Sequence, residues 1–159
     1  MTFRTGVRVG IDVGRARIGV AVCDVHGLLA TPLRTVRRGT DAASEIAAIA
    51  ADAEAVELVV GHPLSLSGLS TASTDDAVWF ARELARVSGR DVRLVDERLS
   101  TVTAGRSLRE AGRGSREQRP VIDQVAATII LQTALDAERA GGLPPGALIV
   151  PDEGSPDSG

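Results

Sequence analysis

Apolar and polar residues alternate with a period of two from Val7 to Val13, with Arg8, Gly10 and Asp12 between Val7, Val9, Ile11 and Val13. A second alternating run covers residues 18–23, after Gly14, Arg15, Ala16 and Arg17, so the two together predict a β-hairpin. Turn residues at 24–27 precede a third predicted strand over 28–36, where Pro32, which has no amide to donate, suits a sheet edge. The period then changes. Ala42, Ile46, Ile49, Ala50 and Ala53 recur at helical spacing behind Thr40, a good N-cap. A buried strand is predicted at 56–60, followed by a loop at 61–70, G-H-P-L-S-L-S-G-L-S, rich in Gly, Pro and Ser. Ala77, Phe80, Ala81, Leu84 and Val87 mark a second amphipathic helix, and a fifth strand runs over 92–95. Residues 98–112 have helical character, 112–114 break it, and Pro120 suits the first turn of a final helix ending near Arg139. The order βββ-α-β-α-β-α predicts an α/β fold with a five-stranded mixed sheet flanked by helices.

At 159 residues and 43% apolar content the chain can bury one core without disulfides or a structural metal. A single domain over 1–140 is expected, with 141–159 as a mobile acidic tail containing Gly and Pro. The lone Cys23 stands in the apolar run I-G-V-A-V-C and reads as a small core side chain, in keeping with a reducing compartment. No apolar stretch reaches the roughly 20 residues of a membrane span, and the first residues lack the layout of a secretory signal. A cytoplasmic protein without membrane contact is expected. The formal charge of −3 comes from the three acids of residues 152–159; the remaining eighteen acids match the eighteen basic residues, all arginine. Arg106, Arg109, Arg113, Arg116 and Arg119 share one short stretch with Glu110 and Glu117, which predicts either a basic patch for nucleic acid or a solvated, salt-bridged helix face.

Asp12 is the most unusual residue, because an ionised carboxylate amid apolar and glycine strand positions is costly unless compensated. A divalent cation answers that cost, and so does an arginine such as Arg17 or Arg98. Gly10 shares its face, and Gly19 and Ala21 on the partner strand are expected to leave room over the carboxylate. Asp96 and Glu97 end the fifth strand, where a parallel-type sheet presents groups to ligands, but only one of two adjacent side chains can face a given site. An acidic pair there also serves as a cap or an ion pair with Arg93 or Arg98. Asp123 lies in the first turn of the final helix, where the helix dipole alone favours an acid. Ile122, Val125, Ala126, Ile129 and Ile130 predict heavy burial for that helix and place Asp123 at the sheet margin. Three carboxylates bordering one sheet can bind two Mg²⁺ ions about 4 Å apart, activating water and stabilising a leaving oxygen. Such hard oxygen donors select Mg²⁺ or Mn²⁺, and there is no Cys/His cluster for zinc. His62 reads as a plain loop residue, or as an aid to proton transfer.

Four segments together resemble the YqgF/RuvX family of ribonuclease H-like nucleases. They are G-I-D-V-G-R-A-R-I-G-V-A-V at 10–22, V-V-G-H-P-L-S-L-S-G at 59–68, V-D-E-R-L-S-T at 95–101 and V-I-D-Q-V-A-A-T-I-I-L at 121–131. The resemblance implies the ribonuclease H-like fold and Mg²⁺-dependent phosphodiester hydrolysis. The substrate it implies is a four-way DNA junction or the 5′ end of precursor small-subunit ribosomal RNA. It maps the acidic, metal-binding triad onto Asp12, Glu97 and Asp123, and puts Arg17, Arg98 and Thr101 beside it as phosphate contacts. His62 stands where the family more often has an apolar residue. Pro120 stands where a basic residue is expected, which shifts phosphate contact onto Arg116 and Arg119.

Two other classes compete with this reading. The segment D-V-G-R-A-R-I-G also fits the phosphate hairpin of actin-like ATPases, but those need two such domains and this chain has one D-x-G hairpin. A catalytically silent nucleic-acid-binding module would keep the fold without needing three acids. With no Tyr, two Phe and one Trp, recognition should rest on arginine and backbone shape, not on extensive stacking. Action on a two-fold junction would call for a homodimer, with the Trp79 region and the 61–70 loop as contact surfaces.

Overall fold

The computed structural model describes residues 5–62, 72–96 and 119–150. The elements are β1 (Arg8–Val13), β2 (Arg17–Cys23), β3 (Ala30–Arg37), α1 (Ala42–Ala53), β4 (Glu57–His62), α2 (Ala72–Ser88), β5 (Val92–Asp96), α3 (Arg119–Gly141) and β6 (Ala147–Ile149). The alternating runs become an antiparallel β1–β2–β3 meander, while β1, β4 and β5 pair in parallel. The order β3-β2-β1-β4-β5-β6 leaves β3 at an edge, as Pro32 requires.

Several expectations need correction. The sheet has six strands, because 147–149, inside the expected mobile tail, pairs antiparallel with β5. Gly146 permits this: its φ is +86° and a Cβ there would lie 2.1 Å from the Leu94 carbonyl oxygen, so only glycine lets the chain turn back this closely. The first helix is capped by Asp41 without a side-chain cap bond, and Thr40 lies outside it. His62, read as loop, is the last residue of β4, and Val125 is 46% exposed although helical spacing placed it in the core.

Alternation divides the sheet into two faces. Val9, Ile11, Ile18, Val20, Leu58, Val60 and Leu94 face α1 and α2, where Ile46, Phe80 and Leu84 complete the larger core. Each such aliphatic side chain, fully removed from water, contributes about 1.5–3 kcal/mol. The opposite face carries Ala21, Cys23, Val59 and Val95 beneath Ala127, Ile130 and Leu131 of α3. Small residues on that face do not leave empty room, as the sequence reading expected; α3 fills it. A Cβ on Gly10 would lie 2.6 Å from Leu131 Cβ and 2.9 Å from the Ala127 carbonyl oxygen, and one on Gly19 only 2.0 Å from the Asp123 carbonyl oxygen.

Ion pairs pin α3 at both ends. Near its C-terminus, buried Glu138 accepts from Arg8 Nη2 at 3.3 Å, while Arg8 Nη1 donates to the Gly6 carbonyl at 2.8 Å. Near its N-terminus, Asp123 Oδ2 accepts from Arg17 Nε at 3.0 Å. On the other face Arg38 ties the β1–β2 turn to α2. Its Nη1 donates to the Gly14 carbonyl at 2.8 Å and to Asp76 Oδ2 at 3.0 Å, and its Nη2 to Asp76 Oδ1 at 2.8 Å. Its guanidinium lies 5.1 Å from the centre of the Phe80 ring, a cation–π arrangement. Among the described residues no helix is long and apolar enough to cross a membrane.

Gly19→Ala must displace the α3 backbone and should lower stability by about 1–3 kcal/mol, whereas Gly39→Ala, with nothing within 4 Å of the added carbon, should leave it nearly unchanged. Thermal melts of the two variants check this, and equal melting temperatures would contradict the close approach. A second prediction concerns acid. The Arg38 hydrogen bonds hold the Asp76 carboxyl below its ordinary value of 3.8. Stabilisation by a carboxyl lowered in this way is complete above the ordinary value and is lost as pH falls through the lower folded value. Asp76→Asn should therefore cost about 1 kcal/mol near neutral pH, the pair being partly exposed, and progressively less in acid. Denaturant titrations at neutral pH and well below 3.8 would show that convergence.

Candidate active site

Asp12 is the fifth residue of β1, two positions beyond Gly10, so alternation places it on the face covered by α3. It is 3% exposed. Its register partner on β2 is Gly19, the residue whose missing Cβ admits the main chain of Asp123. The glycine that lets the helix dock thus brings the first turn of α3 to the strand position beside Asp12. Asp123 is 7% exposed and on the same face. Two buried carboxylates from distant parts of the chain therefore border one corner of the sheet, and Arg17 is bonded to Asp123. The sequence reading offered Arg17 both as a partner for Asp12 and as a phosphate contact.

The parallel strands bring other termini to the same end of the sheet. Asp96 is the register partner of His62, and both are half-buried. Strand alternation sets these two on the α1/α2 face, with Val60 and Leu94, away from the face that carries Asp12. That separates Asp96 and His62 from the acid pair. Glu97, Arg98, Thr101, Arg106, Arg109, Arg113 and Arg116 lie outside the described residues, and Arg119 is described only as the first residue of α3. Among the described residues no three His, Cys, Asp or Glu side chains group as a metal site. Asp12 and Asp123 supply hard oxygen donors in a buried setting, which fits part of a Mg²⁺ or Mn²⁺ ligand set.

Next to Arg17 a cleft of about 990 Å³ opens between the β1–β2 turn, the end of β3 and α2. Arg15, Arg17, Arg37, Arg38, Trp79 and Glu83 line it. The sequence reading picked out only Arg17 and Trp79 in this region. The register of the hairpin was the missed signal, since it places Arg37 directly across from Arg17. Cys23 takes no part: burial pushes its thiol pKa up, and its sulfur accepts the Arg8 amide at 3.2 Å on the core side of β2.

The family model described as "RuvX: Holliday junction resolvase" matches residues 6–137. A protein of Clavibacter michiganensis subsp. michiganensis named "Putative pre-16S rRNA nuclease" is 59% identical over 158 residues, covering 98% of each chain. Relatives carrying the same name are 58% identical in Leifsonia xyli subsp. xyli, covering 94% of this chain and 97% of that one, and 54% identical in Mycobacterium tuberculosis, covering 85% and 81%. Among solved structures, Thermus thermophilus RuvC in complex with a Holliday junction substrate superposes with a TM-score of 0.56 at 18% identity, covering 87% of this chain and 99% of that one. That likeness establishes the ribonuclease H-like fold. The chain belongs to the RuvX family of nucleases.

Proposed function

We propose that this nuclease hydrolyses phosphodiester bonds in structured RNA with divalent cations held by Asp12, Glu97 and Asp123, and that its substrate is precursor 16S ribosomal RNA in the cytoplasm. The observation that carries the proposal is the convergence of Asp12 and Asp123 through Gly19. Asp12, Glu97 and Asp123 would hold Mg²⁺ or Mn²⁺, which when bound would supply an activated water and stabilise charge on the leaving oxygen.

The chain's own residues do the rest. Burial of both aspartates keeps bulk water from screening their charge, which strengthens their hold on a cation. Arg17 holds the Asp123 carboxylate and, with its side chain one-third exposed, can move from that carboxylate to a substrate phosphate. Arg98 and Thr101 act as further phosphate contacts, and Arg106, Arg109, Arg113, Arg116 and Arg119 form a basic patch that adds salt-dependent affinity. The names of the relatives favour ribosomal RNA. The description of the family model favours a second reading, resolution of four-way DNA junctions, for which the protein would act as a homodimer.

Cleavage by wild type and variants, with Mg²⁺, Mn²⁺ or EDTA, on a precursor 16S RNA fragment and on a four-way DNA junction tests both readings. Asp12→Asn, Glu97→Gln and Asp123→Asn should each reduce metal-dependent cleavage at least a hundredfold while the thermal melt stays cooperative. Normal cleavage by all three would overturn the site, and cutting of the junction alone would select the second reading. Arg109→Ala or Arg113→Ala should weaken binding and flatten the dependence of log affinity on log salt by about one unit per lost phosphate contact; an unchanged slope would remove the basic patch.

A further inference from the structure

The cleft next to Arg17 combines two properties that are scarce in this chain. The protein has one tryptophan, two phenylalanines and no tyrosine, and its single indole, Trp79, is 57% exposed, while its neighbour Phe80 is 2% exposed. Helix α2 therefore turns Phe80 into the core and leaves Trp79 on the cleft wall, their ring centres 6.4 Å apart. Arg15, Arg17, Arg37 and Arg38 line the cleft with one acid, Glu83, which is paired with Arg86, while Asp76 behind the wall pairs with Arg38 and feels the charge of Arg15. Arg17 and Arg37 are direct cross-strand partners, an arrangement of like charges that destabilises a sheet unless an anion offsets it. Asp123 offsets Arg17. Arg37 is exposed and has no ion pair among the described residues. Arg38 is committed to Asp76 and Phe80 and forms the floor.

We propose that this cleft binds a single-stranded stretch of the nucleic-acid substrate, with one base stacked on Trp79 and the adjoining phosphates on Arg37 and Arg15, and that the strand continues past Arg17 to the acid pair. The proposal rests on the nuclease reading and deepens it, since it makes a junction between paired and unpaired nucleic acid the preferred substrate. A cation-lined groove with one exposed aromatic side chain is the arrangement that holds unpaired bases without reading their sequence. A duplex, whose bases are stacked on one another, offers the indole no free face.

Trp79 is itself the reporter, because no other tryptophan contributes to the emission. The full chain in EDTA, where cleavage is blocked, is titrated with twelve-residue oligouridylate, oligothymidylate, a blunt twelve-pair duplex and inorganic polyphosphate. Saturable quenching by the single strands is expected, with little change from the duplex or from polyphosphate, which has charge but no bases. The RNA and DNA arms show which sugar is preferred. Arg37→Ala should weaken the quenching titration about tenfold. In an anisotropy assay with labelled strands Trp79→Ala should lose about tenfold in affinity and Trp79→Phe should recover part of it. Both residues are exposed, so folding should survive, and the thermal melt verifies that. Absence of quenching by either single strand, equal quenching by polyphosphate or duplex, or an unaltered titration for Arg37→Ala would overturn the proposal. Metal-dependent cleavage without quenching would overturn it and leave the nuclease reading standing. Quenching without cleavage would uphold the cleft and defeat the catalytic reading.

Discussion

The contact between α3 and the β1–β2 hairpin at Gly10 and Gly19 governs the geometry of the site. A helix normally lies on a sheet at the distance its own and the strands' side chains allow. Here two strand positions have no side chain, and the helix backbone approaches until the Asp123 carbonyl oxygen occupies the space that a Gly19 Cβ would fill. The gain is dispersion contact along the helix and a fixed position for its first turn. A longer residue at either glycine would lift the helix and carry Asp123 away from Asp12.

Electrostatics reinforces that contact from both ends of α3. Arg8 and Glu138 are nearly inaccessible, so removing either takes a close ionic partner from a buried charge, a costly change. The Arg17–Asp123 pair at the other end is more open and sits at the site itself. The closed pair fixes the helix, and under the proposed function the open pair is the one that exchanges partners when a cation or phosphate arrives. Arg38 does the corresponding task on the other face, fixing α2 to the hairpin turn and so setting the width of the cleft.

Much of this was legible in the chain. The period-two runs identified the hairpin, Pro32 marked the edge, and the apolar repeats located α1, α2 and α3. Asp12 stood out because a lone acid in an apolar strand demands a reason. Gly10 and Gly19 were recognised as small but given the opposite meaning, because sequence alone does not say whether space above a strand is left open or filled by a helix. The sixth strand escaped notice since A-L-I is too short for periodicity and follows G-G-L-P-P-G, which reads as a breaker. The arginine cleft was missed because Arg15, Arg37 and Arg38 meet only through strand register and the packing of α2. Glu97 rests on the family resemblance and lies outside the described residues.

The most direct test of the convergence of Asp12 and Asp123 is a double-mutant cycle on Mn²⁺ affinity, followed by electron paramagnetic resonance of the free ion, for wild type, Asp12→Asn, Asp123→Asn and the double variant. If the two carboxylates share a cation, each single change should remove most of the affinity and the double change little more, so the effects fail to add. Additive losses, or affinity that neither substitution alters, would contradict a shared site.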